Sequence, residues 1–228
     1  MTLRYPVHLR SEGRPAVVVG AGQVAMRKIR LLLDGGARVT VVAPDACPPV
    51  AAWAAAGRLR WRAEPFVPAH LDGAFLAIAA TSSRRVNAEV ARAARQRHVL
   101  VNVADDPEAS DFHVPAVLRR GDLVVSVSTG GRCPGFARAI KRRIDAMLGP
   151  EARVALEVVA AVRRRIVQRR GAPQPRSSYA WLINDELFRA CRDGDRASLD
   201  AMLRDVLGEG YSLEELGVAE LLEPRSRQ

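Results

Sequence analysis

The stretch Val17-Val18-Val19-Gly20-Ala21-Gly22-Gln23-Val24-Ala25-Met26-Arg27-Lys28 decides the fold. A β-branched run enters a turn carrying two glycines, and the turn feeds directly into an amphipathic helix that begins near Gln23 and continues through Leu31, Leu32 and Leu33. Gly20 and Gly22 allow tight backbone geometry and the close approach of a ligand, and Ala25 is small enough to let the helix lie close on the strand. The free N–H groups and the positive dipole end of that helix would face a pyrophosphate. A dinucleotide is the expected ligand.

Working outward, Asp34-Gly35-Gly36 ends the helix before a second β run, Val39-Thr40-Val41-Val42. In this kind of unit an acid at the end of the second strand usually holds the ribose hydroxyls. Here the strand ends Val42-Ala43-Pro44-Asp45, with the acid one or two positions late, so either Asp45 or the backbone around Pro44 reaches the ribose. No arginine follows immediately to favour a 2′-phosphate, and NAD is therefore expected over NADP.

Strands and helices go on alternating. Val50 to Ala56 reads as a short helix, Leu59 to Arg62 as a third strand, and Phe75 to Ala80 as a strand buried on both faces. Thr81-Ser82-Ser83 then leads into a helix from Arg84 to about Arg97, and Val99 to Val103 supplies a fifth strand. This alternation predicts an α/β fold with a doubly wound parallel sheet, whose ligands gather at the carboxyl ends of the strands. Thr81 and Asn102 therefore lie on the ligand side. Asp105 and Asp106 follow the fifth strand directly, and two readings stay open: Asp105 faces the ligand while Asp106 caps the turn at Pro107, or both only shape the turn.

Arg119 to Asp122 reads as a hairpin-like turn, followed by the strand Leu123 to Ser128 and by Thr129-Gly130-Gly131, a second hydroxyl- and glycine-rich junction suited to an anionic group. A helix from about Gly135 to Leu148 carries Arg138, Lys141, Arg142 and Arg143, which form either a solvated basic face or a wall for substrate carboxylates. Beyond Gly149-Pro150, a long helix from Glu151 to Arg170 bears Val154, Val158, Val162 and Ile166 at four-residue spacing. Residues 171–178 read as a linker, several short helices follow, and the tail after Leu222 reads as disordered.

Composition narrows the function classes. The 228 residues are 48% hydrophobic, and no apolar run is long enough to cross a bilayer. With no signal-like apolar segment near Met1, a cytoplasmic location is expected. Cys47, Cys133 and Cys191 lack metal-ligand or disulfide spacing and read as small buried or half-buried residues, so no metal site is expected. His8 and His70 read as solvated. The net charge of +10 invites a nucleic-acid partner, but aromatics are only 5% and no basic-aromatic stacking motif is present, so nucleic acid is set aside and a polyanionic small substrate accounts for the charge.

Taken in order, Val19-Gly20-Ala21-Gly22 to Arg27-Lys28, Thr40-Val41-Val42-Ala43-Pro44, Ala77-Ile78-Ala79-Ala80-Thr81, Asn102-Val103-Ala104-Asp105-Asp106, Phe112 with Pro115-Ala116, and Ser128-Thr129-Gly130-Gly131 resemble the precorrin-2 dehydrogenase family of siroheme synthesis. That family includes the dehydrogenase and ferrochelatase portion of siroheme synthase. The likeness runs from about Tyr5 to Leu207 and excludes the methyltransferase domain fused to some members. It implies NAD-dependent oxidation of precorrin-2 to sirohydrochlorin, followed in some members by Fe²⁺ insertion.

The resemblance also assigns residues. Asp105 is the catalytic aspartate, Gln23, Val24, Pro44 and Asp45 contact the cofactor, and the turn at Ser128 and Thr129 serves the substrate; Gly130 in that turn and Asn102 at the ligand end of the fifth strand are read as substrate-binding with it. It implies a Rossmann-type NAD-binding domain over residues 1–115, a dimerisation region over 116–149 that makes the protein a homodimer, and a small C-terminal helical domain over 150–228. His113 stands at a position the family fills variably. The other reading of the chain is a non-catalytic NAD-binding sensor, which would need neither Asp105 nor the Ser128 to Gly131 turn.

Overall fold

The computed structural model describes residues 5–104, 106–170 and 180–222, and the chain divides into two compact units, Met1–Val114 and Pro115–Gln228. Asp105, the expected linker at 171–178 and the tail beyond Leu222 lie outside the described residues.

The first unit is built on a five-stranded sheet of β1 (Pro15–Val19), β2 (Arg38–Val42), β3 (Arg60–Arg62), β4 (Leu76–Ala79) and β5 (Leu100–Val103). The order is β3-β2-β1-β4-β5 and every pairing is parallel. Helices α1 (Gln23–Asp34), α2 (Pro48–Ala55) and α3 (Arg84–Gln96) make the connections. Side-chain alternation along β1 feeds two cores: Ala16 and Val18 pack with Val41, Ile78 and the Ala25 and Ile29 side of α1, while Val17 and Val19 pack with Ala79, Val101 and the Val90 and Ala94 side of α3. Val19 pairs with both Val42 and Ala79, so β1, β2 and β4 end at one level.

Two local expectations are revised. Helix α2 begins at Pro48 rather than Val50, because Pro48 and Pro49 take the first helical positions, where a missing N–H costs nothing. The His70 side chain is only 5% exposed rather than solvated: Nδ1 accepts the Val67 N–H at 3.1 Å, and Nε2 lies 3.1 Å from Glu64 Oε1.

In the second unit, β6 (Ala116–Arg120) and β7 (Leu123–Val127) form an antiparallel hairpin separate from the parallel sheet, turning at Gly121 with φ 61°. Helices α4 (Pro134–Met147), α5 (Glu151–Arg170), α6 (Asp185–Asp193) and α7 (Arg196–Leu207) follow. Val158, Val162 and Ile166 of α5 are buried against Leu187 of α6 and Leu199 and Leu203 of α7. Buried Glu151 ties α5 to α6, its Oε1 accepting Arg192 Nη2 at 2.7 Å. Burial opposes ionisation of Glu151, but the Arg192 hydrogen bonds and nearby backbone donors outweigh it and hold the carboxyl below its usual range.

Candidate functional site

The two glycines of the first turn do different work. Gly20 has φ 105°, and a Cβ there would lie 2.4 Å from the Ala80 carbonyl oxygen, so glycine is required for the turn to fit over the end of β4. The turn is gripped from both sides, Gly20 N–H donating to Val42 O at 2.9 Å and Ala80 N–H to Val19 O at 2.8 Å. Gly22 has φ −82° and ψ −172°, backbone that any residue adopts, and a Cβ there would meet nothing within 4 Å. No contact among the described residues requires glycine at 22; the open space above it is what a ligand would fill.

Gly22 is also the N-cap of α1 and offers no side chain to the helix, whose first-turn N–H groups have no intrahelical acceptor and whose first turn carries no acidic residue. Gln23 and Val24 are exposed beside this opening, and Ala25 is fully buried on the strand side. Pro44 and Asp45 are both exposed immediately beyond the end of β2. The loop that follows is tied to the glycine turn by the Cys47 N–H, which donates to Ala21 O at 3.0 Å. The residues present fit a dinucleotide: an uncapped helix end, an unfilled cradle at Gly22 and a carboxylate one strand away.

Thr81 follows β4, and its hydroxyl is engaged within the protein: Oγ1 donates to Asn87 Oδ1 at 2.7 Å and accepts the Ser83 N–H at 3.1 Å. Asn87 is buried on α3 and returns a hydrogen bond from Nδ2 to Thr81 O at 3.1 Å. Sequence reading passed over Asn87; its signal was a polar residue on the apolar face that carries Val86, Val90 and Ala94.

Asn102 pairs in register with Ile78 and is 6% exposed, its side chain facing inward. Oδ1 accepts Lys28 Nζ at 2.7 Å, and Nδ2 donates to Phe112 O at 2.9 Å. Of the paired acids, Asp106 holds the turn, its Oδ1 accepting the Ala109 N–H at 3.0 Å. Among the described residues His113 Nε2 is buried with no hydrogen-bond partner, and no group of three or more His, Cys, Asp or Glu side chains is placed to hold a metal ion.

In the second unit, the junction before α4 turns its hydroxyls on its own backbone. Ser128 Oγ accepts the Gly130 N–H and Thr129 Oγ1 accepts the Cys133 N–H, both at 3.1 Å, while Gly130 and Gly131 take positive φ of 63° and 85°. Cys133 is exposed rather than buried, because it sits at the start of α4 outside the core. On α4, Lys141 reaches Asp145 at 3.4 Å and Arg120 also binds Asp145. Desolvation works against ionisation of Asp145, but these two cations outweigh it and hold its carboxyl below the ordinary range. Arg138, Arg142 and Arg143 are exposed.

A parallel sheet of this order, with an uncapped glycine turn at the end of its central strand, defines a dinucleotide-binding α/β domain of the Rossmann type. Residues 7–116 match a family model described as putative NAD(P)-binding. The chain is 40% identical over 207 residues to siroheme synthase 1 of Aeromonas salmonicida, covering 90% of this chain and 44% of that protein. It is 34% identical over 207 residues to siroheme synthase of Escherichia coli O157:H7, covering 90% of this chain and 45% of that protein. The chain thus spans less than half the length of these relatives. Among solved structures it superposes on SirC, a precorrin-2 dehydrogenase, with a TM-score of 0.69 and 27% identity over 83% of this chain and 96% of that one.

The chain belongs to the precorrin-2 dehydrogenase family, which includes the corresponding portion of siroheme synthase. No helix among the described residues is long and apolar enough to cross a membrane.

Proposed function

We propose that this chain is a precorrin-2 dehydrogenase, oxidising precorrin-2 to sirohydrochlorin with NAD. The observation that carries the reading is the superposition on SirC, which takes in 96% of that precorrin-2 dehydrogenase, against 44% of the first siroheme synthase. Bound NAD⁺ supplies the hydride acceptor. The glycine turn, with Gly20, Gly22, Gln23, Val24 and Ala25, binds the pyrophosphate; Pro44 and Asp45 receive the ribose, and the Asp45 carboxylate disfavours a 2′-phosphate. Thr81, braced by Asn87, lines the cofactor side at the end of β4.

Asp105 is the base that takes the proton as the macrocycle is oxidised, or that orients the macrocycle while it is lost. The macrocycle carries carboxylates, and two features of the second unit suit them: the Ser128, Thr129 and Gly130 turn, and the exposed arginines of α4. Asn102 serves the substrate side from within the fold. Fe²⁺ insertion, where it occurs, uses iron as a substrate, and the same carboxylate would accept the pyrrole protons. The protein is a cytoplasmic homodimer that pairs through residues 116–149, ahead of the helical domain at 150–228.

The test is anaerobic incubation with precorrin-2 and NAD⁺, with Fe²⁺ added to a parallel sample, following NADH and the tetrapyrrole spectrum. Sirohydrochlorin forms only with NAD⁺, and siroheme appearing faster than background in the iron sample adds the chelatase. Asp105→Ala abolishes oxidation and leaves NAD binding intact; near-normal turnover in that variant would remove Asp105 from the mechanism. Binding of NAD⁺ with no tetrapyrrole change would favour the non-catalytic sensor.

A further inference from the structure

Strand β5 is an edge of the parallel sheet, and its outward backbone groups need partners. The segment 106–112 supplies them without forming a strand. Val101 N–H donates to Asp111 Oδ2 at 2.9 Å and Val101 O accepts the Asp111 N–H at 2.8 Å. Val103 N–H donates to Ser110 Oγ at 2.9 Å, and Ser110 Oγ donates to Asp106 O at 2.8 Å. A third connection runs through the Asn102 amide, whose Nδ2 holds Phe112 O at 2.9 Å. The segment that follows Asp105 in the chain is thereby fastened along the outermost strand by side-chain hydrogen bonds and isolated backbone ones, not by a ladder.

The Asn102 amide can serve this purpose in one orientation. An ammonium has donors and no acceptor, so Lys28 Nζ at 2.7 Å fixes Oδ1 toward α1 and leaves Nδ2 for Phe112. Lys28 is half-buried and reaches past β4 to a side chain 74 residues away. It is one of two lysines among 35 basic residues, the other being Lys141, so this chain keeps a compact, single-point donor here although it uses arginine almost everywhere else.

We propose that Lys28 is a positioning residue for the substrate site, acting through the Asn102 amide on the segment 106–112. Its catalytic consequence rests on the dehydrogenase reading; its structural consequence does not. Without the ammonium, a buried amide oxygen loses its charged donor, the amide is free to turn, and the fastening of Phe112 loosens. Helix α1 thus serves two purposes: its first turn meets the dinucleotide, and its second turn steadies the segment 106–112.

The test compares the full-length protein with Lys28→Met, Asn102→Leu and the double variant. Three quantities are read: amide hydrogen exchange, NAD affinity by titration, and steady-state oxidation of precorrin-2. In Lys28→Met, exchange at Ala109 and Asp111 rises about tenfold while Val18 and Val41 keep their wild-type protection. The kcat falls about 10- to 100-fold with NAD affinity within about twofold. Lys28→Met and Asn102→Leu are coupled, the double variant losing less than the sum of the two single variants, since both break the Lys28–Asn102 hydrogen bond.

Unchanged exchange at 109 and 111 overturns the proposal, as does equal acceleration in β1 and β2, which would mark a general loss of stability. Faster local exchange with unchanged kcat in an active wild type overturns the positioning role. A wild type that oxidises no precorrin-2 refutes the dehydrogenase reading, and the exchange arm still decides whether Lys28 holds the segment.

Discussion

The two glycine-bearing turns that lead from strand into helix, Gly20–Gly22 before α1 and Thr129–Cys133 before α4, differ in what takes their backbone N–H groups. The first uses nothing of its own: its residues are small, its N-cap is Gly22, and among the described residues no side-chain hydrogen bond caps the helix. The second closes on itself, with Ser128 Oγ on Gly130 N–H and Thr129 Oγ1 on Cys133 N–H. Both read as anion turns in the sequence, yet a hydroxyl that completes its own turn competes with the ligand it would otherwise help to hold. An open turn is a binding element outright; a self-closed one binds only through what its own bonds leave over.

The largest effect should come from Gly20→Ala. It combines a φ of 105° with a Cβ placed 2.4 Å from a backbone oxygen of β4, which cannot swing aside as a side chain would. A cost of about 3–5 kcal/mol is expected, enough to remove most of the stability of a domain this size. Denaturant melts monitored in the first unit would measure it, and NAD binding disappears with the fold. A variant that kept wild-type stability would show that this turn is not built by its first glycine.

Gly22→Asp sharpens the comparison, because stability and binding move apart. The backbone at 22 suits any residue, the Cβ position is open, and aspartate is among the best N-caps, so α1 keeps or gains stability. The added carboxylate occupies the space offered to a pyrophosphate. NAD affinity then falls at least about 100-fold by like-charge repulsion, while thermal denaturation is unchanged or slightly raised. Loss of fold in this variant would mean that glycine at 22 serves the protein, and the distinction between the two glycines would collapse.

What could be read in advance follows the same division. The Val17 to Val19 run, the apolar strand at Leu76 to Ala79 and the glycine spacing are local patterns whose period fixes their partners in space, so the parallel sheet and the cofactor end were legible. On the fifth strand, Asn102 was legible only as a position. How the buried Asn102 amide is satisfied depends on Lys28 and Phe112, partners 74 and 10 residues away that no periodicity links to it. The fastening of Ser110 and Asp111 along β5 was hidden for the same reason. His70 read as solvated because its two partners, the Val67 N–H and Glu64, are polar neighbours in a loop that only the folded chain closes over the ring.

The smallest effect is expected at the self-closed turn, where it is also the most discriminating. Thr129→Val preserves shape and removes the acceptor for the Cys133 N–H, which sits at an exposed helix start where water can replace it. The stability cost is then about 0.5–1 kcal/mol, and NAD affinity, a property of the other turn, does not change. If the turn meets a substrate carboxylate through what its own hydrogen bonds leave over, KM for precorrin-2 rises only about threefold to fivefold, and Thr129→Ser, which keeps the hydroxyl, restores it. A rise of tenfold or more would place the two turns on the same footing and make the hydroxyls direct ligands. An unchanged KM alongside the stability loss would leave the turn a purely structural junction, with the exposed arginines of α4 as the remaining ground for substrate charge on the second unit.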